Sequence, residues 1–261
     1  MCGRFAVTTD PALLAQKIHA IDEATSASKP GPNGKDVATG PNYNVAPTAD
    51  IAAMVSRHTE PDDEPTRRLR LMRWGLVPPW TKAGADGAPE GKGPLLINAR
   101  ADKVATSPAF RSSAKTKRCL VPMNGWYEWR ADHAPAVGKK ARKTPFFITP
   151  GDDDVICMAG LWSVWKPDKA ADPLLSCTII TTDAVGPLAE IHDRMPLMMD
   201  ERDWDRWLDP DSPLDPELLT VRADLSHLQI REVSTLVNNV RNNGPELIEP
   251  AEPQGRQARL L

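Results

Sequence analysis

Met1-Cys2-Gly3-Arg4-Phe5-Ala6-Val7 opens the 261-residue chain and carries two readings at once. Gly3 to Val7 reads as a short strand, which would build the N-terminus into the fold instead of leaving it on a loose tail. Cys2 directly follows the initiator methionine, and its side chain is small enough for a methionine aminopeptidase to remove Met1. A chain beginning at Cys2 would present a free α-amine beside a thiol. The amine, with a pKa of roughly 7.7–8.0, is partly unprotonated near neutrality. The thiol, at about 8.5, reacts as thiolate. On one carbon frame the two groups can close a five-membered thiazolidine ring on an aldehyde. The plain alternative is that position 2 is cysteine by accident, so the rest of the chain has to decide.

Length sets one large domain or two small ones, with enough residues for a sizeable core without staples. Hydrophobic residues make up 41% and charged residues 26%, the balance of a soluble globular chain. The formal net charge of -3 gives nucleic-acid binding no general support, so any such function must rest on a local basic patch. The four cysteines, at 2, 119, 157 and 177, show no CxxC pair and no zinc spacing. That predicts no metal site and no disulfide framework, and reduced thiols in a cytoplasmic compartment. No signal-peptide h-region is present, and no apolar run is long enough to span a bilayer. Dinucleotide, P-loop, HExxH and GxSxG patterns are all missing. The 26 prolines predict long irregular connections between short elements.

Outward from the first strand, Asp10 caps a helix that has Pro11 at its first position and Leu13, Leu14, Ile18 and Ile21 on one apolar face. Strands are predicted at Ile51–Val55, Leu69–Val77, Leu95–Arg100, Phe146–Thr149, Val155–Trp165, Ser176–Thr182 and Ile230–Ser234. Asn124-Gly125, between Cys119–Met123 and Trp126–Trp129, is a strong hairpin signal. Short helices are expected within 101–115, at Asp203–Leu208 and at Pro216–Val221. Arg111, Lys115, Lys117 and Arg118 form a local basic cluster, and Lys139–Lys143 a second basic stretch. Strands outnumber helices and are not spaced by regular crossover helices. The fold class is therefore α+β, a single domain with a mostly antiparallel, barrel-like β core flanked by short helices. The domain spans 1–250, with loop insertions at about 24–41, 82–94 and 133–143 and a disordered tail at 251–261.

Cys2, Asn98, Glu128 and His192 are scattered over the whole chain, as the parts of a composite site are. Each also has a plain reading. Glu128 sits among Trp126, Tyr127 and Trp129; it is either a surface residue flanked by core or a buried acid whose pKa rises into the range for proton transfer. His192 is an acid–base group or a structural histidine held by a neighbour. Asn98 orients a substrate or caps a turn. Arg4, Arg100 and Arg194 each lie two residues after a candidate, and on a strand such pairs share a face. Three guanidiniums so placed would read phosphates despite the negative net charge. Trp74 and Trp80 either stack on bases or pack in the core.

Met1–Phe5, Tyr43–Pro47, Trp74–Pro78, Ile97–Arg100, Gly125–Trp129 and Ile191–Pro196 occur in an order that resembles the SRAP (SOS response-associated peptidase) family, with Val233-Ser234, Val237–Gly244 and Glu246–Ile248 as its C-terminal motif. The resemblance implies a barrel-like α+β domain that senses abasic sites in single-stranded DNA and becomes covalently attached to them. Cys2 would be the nucleophile once Met1 is gone. Asn98, Glu128 and His192 fall on the family's active-site Asn, Glu and His. Arg4, Arg100 and Arg194 fall on its DNA-contacting arginines, Trp80 beside its base-stacking aromatics, and Trp74, Asn44 and Pro47 within motifs of the same DNA-binding surface. It implies no cofactor and no metal. The expected partner is abasic single-stranded DNA, met by a monomer in the cytoplasm, on the nucleoid if the source is bacterial. Hydrolase chemistry in Met1 removal and lyase chemistry at the abasic site come with the same reading. Two other functions stay open: a cysteine peptidase built from Cys2, His192 and Asn98 or Glu128, and a non-covalent module for modified or single-stranded DNA.

Overall fold

The computed structural model describes residues 2–25, 40–91, 93–131, 143–151 and 154–251. In chain order its elements are β1 (Phe5–Val7), α1 (Pro11–Lys17), β2 (Ile21–Asp22), β3 (Asn42–Val45), β4 (Asp50–Arg57), β5 (Thr66–Trp74), β6 (Asn98–Arg100), α2 (Arg111–Thr116), β7 (Arg118–Met123), β8 (Gly125–Ala131), β9 (Lys143–Thr149), β10 (Ile156–Trp165), β11 (Leu174–Asp183), β12 (Arg194–Pro196), α3 (Trp204–Leu208) and β13 (Gln229–Glu232). Short 3-10 turns fill the connections after β11. Most of the 24–41 and 133–143 insertions, and the tail beyond 251, lie outside the described residues.

Five strands close into a ring. β11 pairs with β10, β10 with β7, β7 with β4 and β4 with β5, all antiparallel. β5 then returns to β11 in parallel, with Ser176 opposite Arg73 and Cys177 opposite Trp74. Closure removes the edges that an open sheet would expose. Alternation along the strands sorts the core. Ile51, Ala53, Val55, Met72, Trp74, Cys119, Val121, Met158, Cys177 and Ile179 form the inner cluster. Met54, Leu69, Leu120, Ala159, Leu161 and Ile180, one residue out of phase, meet the three helices outside the ring through Leu14, Ala114 and Trp207.

A second sheet, in the order β13-β9-β8-β1-β3, covers the barrel mouth. Its inner face contributes Phe5, Val45, Trp126 and Ile148 to the inner cluster. Its outer face, with Ala6, Tyr127 and Phe147, is covered by Val233, Val237 and Leu247 of the C-terminal segment. The chain is thus α+β with a mostly antiparallel barrel, and its N-terminal strand is an interior strand of the covering sheet, between β8 and β3.

Asn124-Gly125 does not form a hairpin. β7 belongs to the barrel and β8 to the covering sheet. Asn124 is a buried corner whose Oδ1 accepts from Thr8 N at 2.8 Å and whose Nδ2 donates to Asp154 O at 2.9 Å. Gly125 is needed for close approach: a Cβ there would lie 2.4 Å from the Phe147 ring and 2.5 Å from Ile148 O. α1 has the expected cap, Asp10 Oδ1 accepting from Ala12 N at 2.9 Å, but ends after seven residues. His19, at φ 53, turns the chain. Ile21 therefore joins β2 and is 51% exposed instead of completing the helix face. The strand predicted from Leu95 is confined to β6, and the one predicted to Val77 stops at Trp74 because Gly75 takes φ 124. Among the described residues no helix is long and apolar enough to cross a membrane.

Candidate active site

Cys2 is fully buried at the seam between the barrel and the covering sheet. Asn98, on β6, donates from Nδ2 to the Cys2 carbonyl at 2.7 Å, which ties the N-terminal residue to the barrel wall. The other amide atom, Asn98 Oδ1, is buried with no hydrogen-bond partner among the described residues. Burial pushes the Cys2 thiol far above its ordinary value, and the nearby Glu128 carboxylate adds to the rise; the Arg4 backbone N–H opposes it.

Glu128 is 4% exposed. It lies on β8, two residues from Trp126, so the two share the face that meets the barrel. Phe5 opposite Trp126 sets that register. Burial, with a smaller push from Asp193, raises the Glu128 carboxyl to about 7 against an opposing positive charge. His192 stands in the loop before β12, its side chain 29% exposed. Nδ1 has two neighbours, Arg194 N at 3.0 Å and Asp193 Oδ1 at 2.7 Å. One nitrogen cannot accept from the first while donating to the second, so the two contacts belong to different protonation states. Burial lowers the His192 pKa although Asp193 opposes the shift. The shift favours the neutral ring, with Nδ1 accepting from Arg194 N. Cys2, Glu128, Asp193 and His192 are coupled through these electrostatic contacts, and Asn98 joins them through the Cys2 carbonyl.

The strand register adds a second group. Ile179 lies beside Asn98 and Thr181 beside Arg100, and Asp183 faces Arg194 across the β11–β12 pair. Paired residues share a face, so Asn98, Arg100, Thr181, Asp183 and Arg194 line one side of the mouth. Arg194 is 7% exposed, pairs with the Asp183 carboxylate and donates from Nη2 to Thr181 O at 2.6 Å. Among the described residues, Arg194 Nε, Thr181 Oγ1 and Trp126 Nε1 are all buried without a hydrogen-bond partner. Buried polar atoms in that state are uncommon in native proteins, and those of Asn98, Thr181 and Arg194 lie on the adjoining strands β6, β11 and β12. Thr181, Trp126, Asp183 and Asp193 were not singled out by sequence; an isolated Thr or Asp at a strand end carries no signal of its own.

The remaining expected DNA-contact residues divide. Arg100 is exposed and ion-paired with Asp102 at 2.9 Å. Arg4 does not share a strand face with Cys2, because β1 begins only at Phe5. Its Nη1 donates to Asn44 Oδ1 at 2.6 Å and to Val237 O at 3.0 Å, and the guanidinium lies 6.0 Å from the Trp129 ring centroid. Asn44 is buried, and its Nδ2 reaches the Asn239 carbonyl at 3.1 Å and that of Asn242 at 2.9 Å, so it anchors the C-terminal segment. Pro47 is half-buried in the turn after β3. Trp74 corrects the base-stacking expectation. It is 0% exposed, packs edge-on against Phe5 at 4.9 Å, and donates from Nε1 to Ile97 O at 3.0 Å. Its core position leaves no ring face for a base. Trp80, 68% exposed, is the aromatic left free to stack. Together with Leu95, Leu96 and Ala109 it lines a groove on the surface between Gly75 and Leu96. All four cysteines are free thiols.

Known proteins are similar to this chain in sequence and architecture. A family model described as SOS response associated peptidase (SRAP) matches residues 1–240. The abasic site processing protein YoqW of Bacillus subtilis is 34% identical over 252 residues, covering 95% of this chain and 99% of that protein. The abasic site processing protein HMCES of Gallus gallus is 30% identical over 274 residues, covering 97% of this chain and 78% of that one. A crystal structure of a protein from Bacteroides thetaiotaomicron superposes with a TM-score of 0.75 at 21% identity, covering 96% of this chain and all of that one, and so shares the fold. A phage-related protein of Bordetella bronchiseptica, at 27% identity, gives a TM-score of 0.62 over 89% of this chain and 94% of that structure. With the family model matched over residues 1–240 and relatives above 30% identity along most of their length, the chain belongs to the SRAP family.

Proposed function

We propose that this protein processes abasic sites in single-stranded DNA, forming a covalent link through Cys2 after Met1 is removed. The observation that carries the reading is the placement of Cys2: buried, held by Asn98 through its carbonyl, and beside a carboxyl raised to about 7. Family membership and the relatives' abasic site processing names support the substrate class.

In the full chain the Cys2 nitrogen is an amide and cannot add to a carbonyl. Hydrolysis of the Met1–Cys2 bond, by an aminopeptidase or by the protein itself, consumes one water and frees the amine. The ring-opened deoxyribose presents an aldehyde at C1′. The amine adds to that carbon, the resulting hydroxyl leaves as water, and an imine forms. The Cys2 sulfur then adds to the imine carbon and its proton ends on the nitrogen, giving a thiazolidine with a net loss of one water. Glu128 has the pKa to accept and return protons near neutrality in both steps. His192, its neutral form favoured by burial, suits proton transfer at the sugar, in ring opening or in lyase-type strand cleavage. Asn98 positions Cys2. Arg100 and Arg194 lie where the flanking phosphates would approach.

The buried, raised thiol favours this reading over a cysteine peptidase, whose nucleophile needs a depressed pKa. Addition to an imine makes a weaker demand on the thiol, because the electrophile is already bound. Intact mass spectrometry of the protein lacking Met1, incubated with an abasic oligonucleotide, tests the proposal. The expected adduct is protein plus oligonucleotide less one water, stable without reductant only when the Cys2 thiol is present; Cys2→Ala and Cys2→Ser keep the amine and should give only an imine that needs borohydride to trap it. Glu128→Gln should slow its formation about 10²–10⁴-fold. A full adduct yield in Cys2→Ala without reductant would overturn the mechanism.

A further inference from the structure

The groove beside Trp80 opens onto a set of cations that the site described above does not use. Many surface arginines are matched by carboxylates: Arg67 with Asp205, Arg68 and Arg70 with Glu23, Arg206 with Asp215, and Arg222 with Asp203, while Arg57 and Arg130 lie over the Trp162 and Phe146 rings. A chain of net charge -3 has acid to spare for this. Arg111 and Lys115 on α2, and Lys117 at its end, depart from the pattern. The first two are exposed and the third half-exposed, and none has a carboxylate partner among the described residues. Arg118, adjacent in sequence, turns inward onto backbone carbonyls and takes no part in the surface charge.

Two more cations continue the run. Trp165 Nε1 donates to Thr81 O at 2.7 Å, which brings the strand end carrying Lys166 against the loop carrying Lys82. Both lysines are exposed, and neither has an acidic partner among the described residues. Trp162 N donates to Lys117 O at 2.9 Å, so the end of α2 sits on the same end of β10. The groove lies between, with Ala109 in its wall two residues before Arg111 and Glu90 as its acidic member. Trp80 and Leu95 are 68% and 53% exposed there.

We propose that this rim of Arg111, Lys115, Lys117, Lys82 and Lys166 binds the phosphates of the single strand continuing past Trp80, away from the reacting nucleotide. The proposal rests on the abasic-DNA reading of the Cys2 site and extends its footprint across α2. Charge complementarity selects a polyanion. The exposed indole between apolar walls selects unstacked bases, which a duplex does not offer. Cations on both sides of the groove fit a backbone that follows it.

The test uses full-length protein with Met1 removed and Cys2→Ala to prevent stable crosslinking. Labelled single strands are compared: a core of about seven nucleotides, and the same core lengthened at one end or the other by about eight, within the range of single-strand site sizes. Arg111→Gln/Lys115→Gln/Lys117→Gln should bind the core like the parent. It should lose about tenfold on one of the two lengthened strands, with the salt slope on that strand falling by about 2, some 0.7 per lost phosphate contact. Unchanged affinity for both lengthened strands, or an equal loss on the core strand, overturns the proposal. If the triple variant melts early, Lys82→Gln/Lys166→Gln reads the same rim from exposed loop positions. Failure of the core strand to crosslink to protein retaining Cys2 would count against the Cys2 chemistry alone; the length dependence stands apart from it.

Discussion

Arg118, at the start of β7, is 3% exposed, and Arg194, at the start of β12, is 7% exposed. The fold treats the two buried guanidiniums differently. Arg118 donates to the carbonyls of Trp207, Ala114, Lys115, Asp209 and Ser212, so all its N–H directions are met and the ends of α2 and α3 are clamped to the barrel. Arg194 has Asp183 and the Thr181 carbonyl, while its Nε is buried with no hydrogen-bond partner among the described residues. Asp183 is itself largely exposed, so this pair faces an opening where the other faces none. A buried charge with a complete donor set holds structure together. One with an incomplete set, like Asn98 Oδ1 and Thr181 Oγ1 among the described residues, keeps hydrogen-bonding capacity that the proposed DNA site would use.

The largest expected consequence falls on the complete set. Arg118→Met removes the donor to several buried carbonyls and should cost about 3–5 kcal/mol, the scale of breaking a buried charged network. Denaturant melts check it, and a cost below about 1 kcal/mol would erase the contrast. Next comes Glu128. Its folded-state pKa of about 7 lies above the ordinary carboxyl value of about 4.3, so protonation favours the folded state. Both states are protonated below about 4.3. As pH rises from there to about 7 the unfolded chain ionises first and stability is lost. Relative to Glu128→Gln, the parent should therefore lose on the order of 3 kcal/mol across that window. Urea melts at several pH values measure the difference, and a flat difference would place Glu128 in water. Arg194→Gln should cost about 1 kcal/mol, far less than the Arg118 change, yet reduce the salt slope of single-strand binding by about 0.7. The smallest effect is that of Trp80→Ala, within about 0.5 kcal/mol of the parent in stability because the ring is exposed. The same change should weaken single-strand binding by about 1–3 kcal/mol if a base stacks there.

Much of the barrel was legible from alternation. β4, β10 and β11 fall within about two residues of their expected bounds, since each has a continuous apolar signal with β-branched or aromatic residues. Asn124-Gly125 was misread because a hairpin and a corner between two sheets use the same residues; only the partners of β7 and β8 tell them apart. Trp74 was left open because an aromatic beside Gly75 looks alike whether it faces a ligand or the core. The five-strand ring depends on the parallel β5–β11 pair, between residues about a hundred positions apart, and no local pattern announces it.

By itself the sequence determined the chemical inventory: an N-terminal cysteine that can carry both amine and thiol, an Asn, a Glu and a His at scattered positions, and the ordered motifs that resemble one family. Those are covalent and local facts. Tertiary structure decided which groups meet and in what protonation state. It put Cys2 under Asn98 and beside Glu128, moved the Glu128 pKa by burial, and turned Trp74 and Arg118 inward while leaving Trp80 and Arg111 outside. Burial and strand register are properties of the whole chain's closure, because desolvation and hydrogen-bond completion depend on neighbours far away in sequence.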